Sequence, residues 1–381
     1  MKILLVGEYS RLHNSLKEGL LKLNHNVTLI GNGDDFKNFP VDINIKATFF
    51  TKPFLFSISK ALHKLTNISL IELENAYRFY KILPELNEYD SVQLINENSI
   101  KTHPLLEKWL LKKLILQNKK VYLLSCGTDY ISVKYAFDKK LRYSILTPFQ
   151  NDSSLKKHYQ FILMYISNPF YKLHEFLYRH TNGVIASDLD YHIPLINNKK
   201  YLGLIPNPIN IHKIKFSPNK ISKKIIIFHG INNMNYIKKG NIFFEDALNI
   251  IKNKYSDKIK IITTRDIPYQ NYIELYNSCH ILLDQVYAYD QGYNALEAMA
   301  KGKVVFTGAE QEWIDYYNLQ EDTVAINALP DSEKIAKKLE WLVLNPEKIL
   351  EISKNARYFI EKEHNYINIA KVYLETWKNS N

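Results

Sequence analysis

Glycine is scarce in this chain, at 12 of 381 residues, and there are 2 cysteines. Cys126 and Cys279 each sit beside an apolar, strand-like run. That pattern excludes a disulfide framework and reads as buried thiols in a reducing compartment. No apolar run reaches the ~18 residues that a membrane span needs. The opening MKILLVGEYS is interrupted by Gly7 and Glu8 too early to read as a signal peptide. The turn after the first apolar run is GEYSRLH and not G-x-G-x-x-G, so dinucleotide binding at that end has little support. Acidic residues are also in deficit: 39 Asp and Glu stand against 50 Lys and Arg, a formal charge of +11. That balance favours nucleotide phosphates, an acidic polymer or an anionic membrane face as partners. Nucleic acid fits on charge alone, but no zinc-finger spacing, arginine-rich arm or RNA-binding aromatic signature accompanies it. The expectation is a cytoplasmic protein, peripheral at most on the inner face of the membrane.

What is present is an alternation of apolar runs and amphipathic stretches. KILLV (2–6) reads as a buried parallel strand, SLKEGLLKLNH (15–25) as a helix and NVTLI (26–30) as a second strand, a βαβ unit. SVQLI (91–95), a helix around 104–117, VYLLS (121–125), GVIAS (183–187) and YLGLI (201–205) continue it. Pro206 and Pro208 in IPNPIN then break the pattern. The same grammar restarts with KIIIF (224–228), a helix over 241–254, KIKIIT (258–263), a helix over 269–278, HILLD (280–284), a helix over 291–301, VVF (304–306) and TVAI (323–326). The fold class is α/β, with mostly parallel sheets in two halves. The expected boundaries are 1–207, 208–362 and a final helical segment, 363–381. One stretch, 156–180, is aromatic and basic. It fits a helix lying on an anionic membrane, and equally a core helix with a Lys and His rim.

Three of the few glycines, Gly292, Gly302 and Gly308, fall within DQGYNALEAMAKGKVVFTG (290–308). Gly302 suits a helix stop. Gly292 lies near the helix start, where unpaired N–H groups and the dipole favour an anion or sugar. Glu297, a turn and a half on, can accept hydrogen bonds from vicinal hydroxyls such as those of a ribose. A buried helix with small residues at a crossing, and Glu297 paired with a lysine, accounts for the same pattern equally well. A second element is HGINNMNYIKKG (229–240), in which Gly230 permits close backbone approach. There Lys238 and Lys239 precede a helix N-terminus, a place for phosphate.

Together the two elements resemble the donor domain of the retaining, nucleotide-sugar-dependent GT-B glycosyltransferases of the group 1 or family 4 type. Their motif is a Glu, seven residues, a second Glu, then A-M-A-x-G-x-P-V. LEAMAKGKVV (296–305) matches its second part, with Glu297 as the ribose-binding Glu, and Lys239-Gly240 matches the Lys-Gly near the pyrophosphate. Tyr289 occupies the place of the first Glu with Asp290 beside it, and Lys303 that of the usual Pro. His229, Asn232 or Lys238 must stand in for the usual arginine. Residues 7–30 resemble the acceptor-domain start of bacterial cell-surface polysaccharide enzymes.

The resemblance implies two Rossmann-like domains facing across a cleft, with a C-terminal helix crossing back to the first. It implies a donor site of Gly230, Asn232, Lys238, Lys239, Tyr289, Asp290, Gly292, Tyr293, Asn294 and Glu297. Gly7, Glu8, His13 and Asp129 fall near strand ends of the first half and are candidates to bind an acceptor hydroxyl. Helix capping accounts for Asp129 and His13 as readily, and a surface position also accounts for His13. Asp290, Lys239 and His13 are the candidate catalytic residues. The implied substrates are a UDP- or GDP-linked sugar and a glycan or lipid-linked acceptor, without cofactor, metal or nucleic acid. DLD (188–190), the one Asp-x-Asp considered, lies in the other half. A nucleotide-sugar epimerase and a non-catalytic GT-B-like binding protein are the rival readings, the second favoured by the missing first Glu.

Overall fold

The computed structural model describes residues 1–34, 37–66, 68–221 and 223–380. The chain forms two compact units. Unit 1 is Met1–Lys134, Gln160–Pro208 and Tyr366–Asn381; unit 2 is Tyr135–Tyr159 and Ile209–Asn365.

Unit 1 opens with β1 (Lys2–Val6), α1 (Leu12–Lys22), β2 (Asn26–Gly31), β3 (Ile43–Asn44), α2 (Pro53–Thr66), α3 (Leu70–Ile82), β4 (Ser91–Leu94), α4 (Pro104–Leu116) and β5 (Val121–Ser125). The chain passes out of it along α5 (Tyr130–Phe137), makes α6 (Thr147–Asn151) in unit 2, and returns. It then forms α7 (Gln160–Leu163), α8 (Asn168–His180), β6 (Gly183–Ala186), α9 (Leu189–Leu195) and β7 (Tyr201–Leu204). Its seven strands are ordered β3-β2-β1-β4-β5-β6-β7, all pairs parallel. Helices supply the second layer. Leu16 and Leu20 of α1 are buried with Ile3, Leu5 and Leu29 of the strands.

Unit 2 contains β8 (Ile225–Ile231), α10 (Asn241–Tyr255), β9 (Ile259–Arg265), α11 (Tyr269–Ser278), β10 (Ile281–Leu283), α12 (Tyr293–Ala300), β11 (Val304–Thr307), α13 (Gln311–Tyr317), β12 (Ile326–Asn327), α14 (Ser332–Leu344) and α15 (Pro346–Glu363). Its sheet is β12-β11-β10-β8-β9, again parallel throughout. Ile227, Phe244, Leu248, Ile281, Phe306 and Leu339 lie in its core.

In both sheets the first strand has its successor on one side and a later strand on the other. The order therefore reverses between β1 and β4, and between β8 and β10. The carboxyl ends of these strand pairs are where open α/β sheets take ligands.

α16 (Tyr366–Asn379) belongs to unit 1 and packs on α1. A Cβ on Gly19 would lie 2.2 Å from the Tyr366 carbonyl oxygen, so this crossing needs glycine. Tyr122 donates to the Trp377 carbonyl at 2.8 Å, and Trp377 Nε1 donates to Gln93 Oε1 at 3.1 Å.

Two expectations change, and one open between two readings is decided. Residues 135–159, read with the first half, belong to unit 2. Arg142 and Tyr143 are tied there to Glu310 and Glu312, partners too distant in sequence to leave a local pattern. The aromatic face of 156–180 goes inward: Phe170, Leu173, Phe176 and Leu177 of α8 are buried, and Pro169 sits harmlessly in its first turn. The first helix begins three residues early, at Leu12, because Arg11 turns the chain in the left-handed region at φ 74°.

Candidate functional site

The motif helix α12 explains most of its own composition. Ala295, Ala298, Met299 and Ala300 are all buried, and the helix packs against α15 and β11. It ends in a Schellman motif. Lys303 N donates to Ala298 O at 2.9 Å and Gly302 N to Met299 O at 2.9 Å, with Gly302 at φ 81°. Gly308 answers a different need. A Cβ there would lie 2.5 Å from the Ala288 carbonyl oxygen and 2.6 Å from that of Asp290, so the glycine lets the 288–290 loop lie against β11. Gly292 is under no such constraint. Its φ is −72°, and a Cβ would meet only the Gln285 amide, at 3.7 Å or more.

At the reversal point of the second sheet stand His229, near the end of β8, and Asp284, directly after β10. Lys239 Nζ pairs with Asp284 Oδ1 at 2.9 Å. Asn294 Nδ2, from the first turn of α12, donates to the same oxygen at 2.9 Å, and Tyr272 donates to Asn294 Oδ1 at 3.1 Å. Asp284 Oδ2 is buried without a partner. His229 Nε2 meets Asn241 Oδ1 at 2.8 Å, while its Nδ1 is buried and unpartnered. Burial lowers the pKa of His229. Burial, then the neighbouring Lys239 charge, pushes Lys238 down to about 8. Lys239 stays half-exposed, held by the buried carboxylate. Gly240, at φ 68°, sets the turn into α10.

Asp284 is the residue that sequence reasoning missed. The available signal was a carboxylate closing the buried run HILL at the carboxyl end of a strand. It is Asp284, and not Asp290, that meets Lys239. Asp290 is buried, its Oδ1 accepting from Gln291 N at 2.6 Å. Tyr289 is buried too. Its hydroxyl accepts from Arg142 N at 2.9 Å, and the Arg142 guanidinium lies 4.8 Å over its ring. Arg142 also pairs with Glu310 and Glu312, each at 2.7 Å. The place of the motif's first acid is thus filled by a structural aromatic.

Glu297 is half-buried on α12, close enough to Lys301 and Tyr276 to act on their charge, while Lys301 donates to Asn277. Tyr293 is half-buried at the helix start, and Asn232 is exposed after β8. Gly230 is pressed by its own unit: a Cβ would lie 2.4 Å from Tyr272 Cε2.

The matching end of the first sheet is different. A Cβ on Gly7 (φ 86°) would lie 2.3 Å from Ile95 Cγ2, so the following loop closes over it. Glu8 is fully buried. Its Oε2 accepts from Asn14 N at 2.8 Å and Asn14 Nδ2 at 2.6 Å, its Oε1 has no partner, and burial raises its pKa to about 7. His13 is neither on the surface nor a cap. It is fully buried with Nδ1 2.8 Å from the Gly7 carbonyl oxygen, which makes Nδ1 the protonated nitrogen, and burial pushes its pKa down to about 3. Asp129 is buried and caps α5, accepting from Ser132 N at 2.7 Å and from the Ser125 hydroxyl. Glu97, another buried acid, accepts from Tyr130 N at 3.0 Å and meets His174 Nδ1 at 2.6 Å.

Among the described residues no group of three or more His, Cys, Asp or Glu is placed to hold a metal ion. Asp188 caps α9.

Known proteins agree with this architecture. Sucrose-phosphate synthase from Thermosynechococcus elongatus aligns over 99% of this chain and 98% of its own, at 14% identity and a TM-score of 0.62. Anabaena HepE in complex with UDP and glucose aligns over 100% of both chains, at 14% identity and 0.59. A protein of Listeria monocytogenes assigned as a UDP-N-acetylglucosamine 2-epimerase covers 99% of this chain and 95% of its own, at 10% identity and 0.55. No curated protein matches the chain. With its two parallel sheets and its returning helix, the chain has the GT-B fold. Within it, residues 237–375 match the family described as glycosyl transferase-like, a stretch that includes Lys239, Asp284 and α12.

Proposed function

We propose that this protein transfers a sugar from a UDP- or GDP-linked donor to a hydroxyl of a cell-surface glycan or lipid-linked acceptor. The observation that carries the reading is the half-exposed Lys239. A buried Asp284 holds it at the sheet's reversal point, beside the start of α12 and within the glycosyl transferase-like region. Lys239 and Lys238 face the diphosphate, Glu297 takes the ribose hydroxyls, and Asn232, Gly230, Gly292, Tyr293 and Asn294 complete the donor pocket. In transfer, the bond from the anomeric carbon to the phosphate oxygen breaks and a bond to the acceptor oxygen forms. The acceptor's proton leaves with the nucleoside diphosphate. Positive charge preset where the leaving group becomes more negative lowers the barrier. The two lysines supply it, so on this reading the reaction runs without a metal; the resemblance to retaining enzymes implies that the sugar's configuration is kept. A chelator leaves the rate unchanged on this reading. The HepE structure, which contains UDP and glucose, supports a nucleotide-sugar ligand.

Thermal unfolding with UDP, GDP, CMP, ADP and dTDP, on wild type and Glu297→Ala, tests the donor site. One diphosphate at about a hundred times its dissociation constant stabilises by ~2.7 kcal/mol, and Glu297→Ala loses the shift. Absence of a shift with all five, in folded protein, overturns the reading in favour of a non-catalytic binding protein. The alignment with the Listeria protein favours a second reading, epimerisation. Conversion of a nucleotide sugar with no acceptor present would establish it instead.

A further inference from the structure

We propose that α2 docks unit 1 on an anionic lipid bilayer. The helix carries two apolar stripes. Leu55, Ser59 and Leu62 turn toward the unit. The other stripe, Phe54, Ile58, Ala61 and Leu65, follows i, i+4, i+7, i+11 and therefore lies along one side of the helix. It faces solvent: Phe54 is 77% exposed, Ile58 46% and Leu65 83%. Single exposed apolar residues are ordinary, but a helical stripe of them marks an interaction surface.

The charge around the stripe selects the occupant. Residues 43–71 hold four lysines, one histidine and no aspartate or glutamate, in a chain of net charge +11. Lys60 and Lys64 flank the stripe on the side away from Leu55 and Leu62. Their spacing in the wheel puts apolar groups between the protein and a row of cations, the pattern of a helix lying in a bilayer interface. Lys60 Nζ lies 4.5 Å over the Phe56 ring and Lys52 Nζ 5.6 Å over the Phe49 ring. Each ammonium thus sits beside an aromatic ring, which joins cation and apolar surface on one face of the segment. α2 packs against α3, where exposed Tyr77 and Tyr80 add the amphipathic aromatics that gather at membrane interfaces. A second copy of this chain is a poor occupant, because two such cationic faces would be brought together. No helix among the described residues is long and apolar enough to cross a membrane, so contact through α2 would be peripheral.

The surface lies in unit 1 and the donor residues in unit 2, so docking and nucleotide binding fail separately. The test is co-sedimentation of the full chain with vesicles of phosphatidylcholine alone, and with about one-third phosphatidylglycerol added. Wild type is expected to bind the anionic vesicles at least about tenfold more tightly, and less so as salt is raised. Phe54→Ser with Leu65→Ser should weaken that binding about tenfold, and Lys60→Glu with Lys64→Glu should erase the preference for anionic lipid. These side chains are exposed, so the variants should melt as wild type does. The proposal is overturned if wild type does not sediment with the anionic vesicles. It is also overturned if Phe54→Ser with Leu65→Ser binds as wild type does, which would reduce the effect to general surface charge. A dimer in sedimentation velocity that this variant dissociates, without vesicle binding, would name a second copy as the occupant and overturn it as well.

Discussion

The two sheets are built on one plan, yet their reversal points differ in chemistry. At the end of β1, Gly7, Glu8 and His13 are buried, and burial pushes Glu8 and His13 toward neutrality. At the end of β8 and β10, Lys239 is half-exposed and pairs with the buried Asp284 carboxylate at 2.9 Å. Topology sets where a ligand can bind; the balance between desolvation and pairing sets which ligand. A buried acid or imidazole with no ionic partner is pushed toward its neutral form, whereas the cation at the second sheet's end has a carboxylate opposite it.

The sharpest way to break this contrast is through pH. Glu8 has its folded pKa raised from 4.5 to about 7, so its contribution to stability is present below 4.5 and lost as pH rises through 7. His13 has its folded pKa lowered from 6.5 to about 3, so its contribution is present above 6.5 and lost as pH falls toward 3. By these shifts the two contributions are on the order of 3 and 5 kcal/mol respectively. On acidification from about 7 to 5, Glu8→Gln should lose stability relative to wild type and His13→Asn should gain it. Hydrogen exchange of the β1 amides measures both. Equal slopes in the two variants would mean that the groups are not neutral when folded.

Next in size is Lys239→Ala, for which a fall of roughly 100-fold in kcat/KM with a nucleotide sugar is expected. Asp284→Asn, assayed beside it, should weaken nucleotide binding while leaving the fold intact. An unchanged rate in Lys239→Ala would remove the cationic end from the chemistry. The glycines sharpen the comparison further. Gly308→Ala forces its Cβ against two carbonyl oxygens and should cost ~2 kcal/mol in thermal unfolding, whereas Gly292→Ala should change stability by less than about 0.5 kcal/mol. Should nucleotide affinity nevertheless drop in Gly292→Ala, the backbone there is approached by ligand, as the sequence suggested. Smaller still, Tyr289→Phe leaves Arg142 N without its acceptor and should cost about 1 kcal/mol, with transfer kinetics unaltered.

Much of the fold was legible. The apolar runs KILLV, VYLLS and KIIIF became β1, β5 and most of β8, because a strand buried on both faces must be apolar throughout. TVAI was less legible: its strand, β12, takes only Ile326 from that run together with Asn327. The candidate site was legible in part. Lys239 and α12 stood out by position, but Asp284 did not, since ending a strand and holding a cation look alike in one dimension. The burial of His13 was not legible, because nothing local says that the 95–99 loop closes over Gly7.

The sequence by itself determined the α/β class, the parallel strands and the Gly302 helix stop, because periodicity and left-handed turns are local demands. Only the tertiary structure decided that residues 135–159 join unit 2, that Tyr289 is locked under Arg142, and that α2 rather than α8 shows its apolar side to solvent. Each of those depends on what packs against a residue from far along the chain, and a helix with two apolar stripes does not announce which one the core will take.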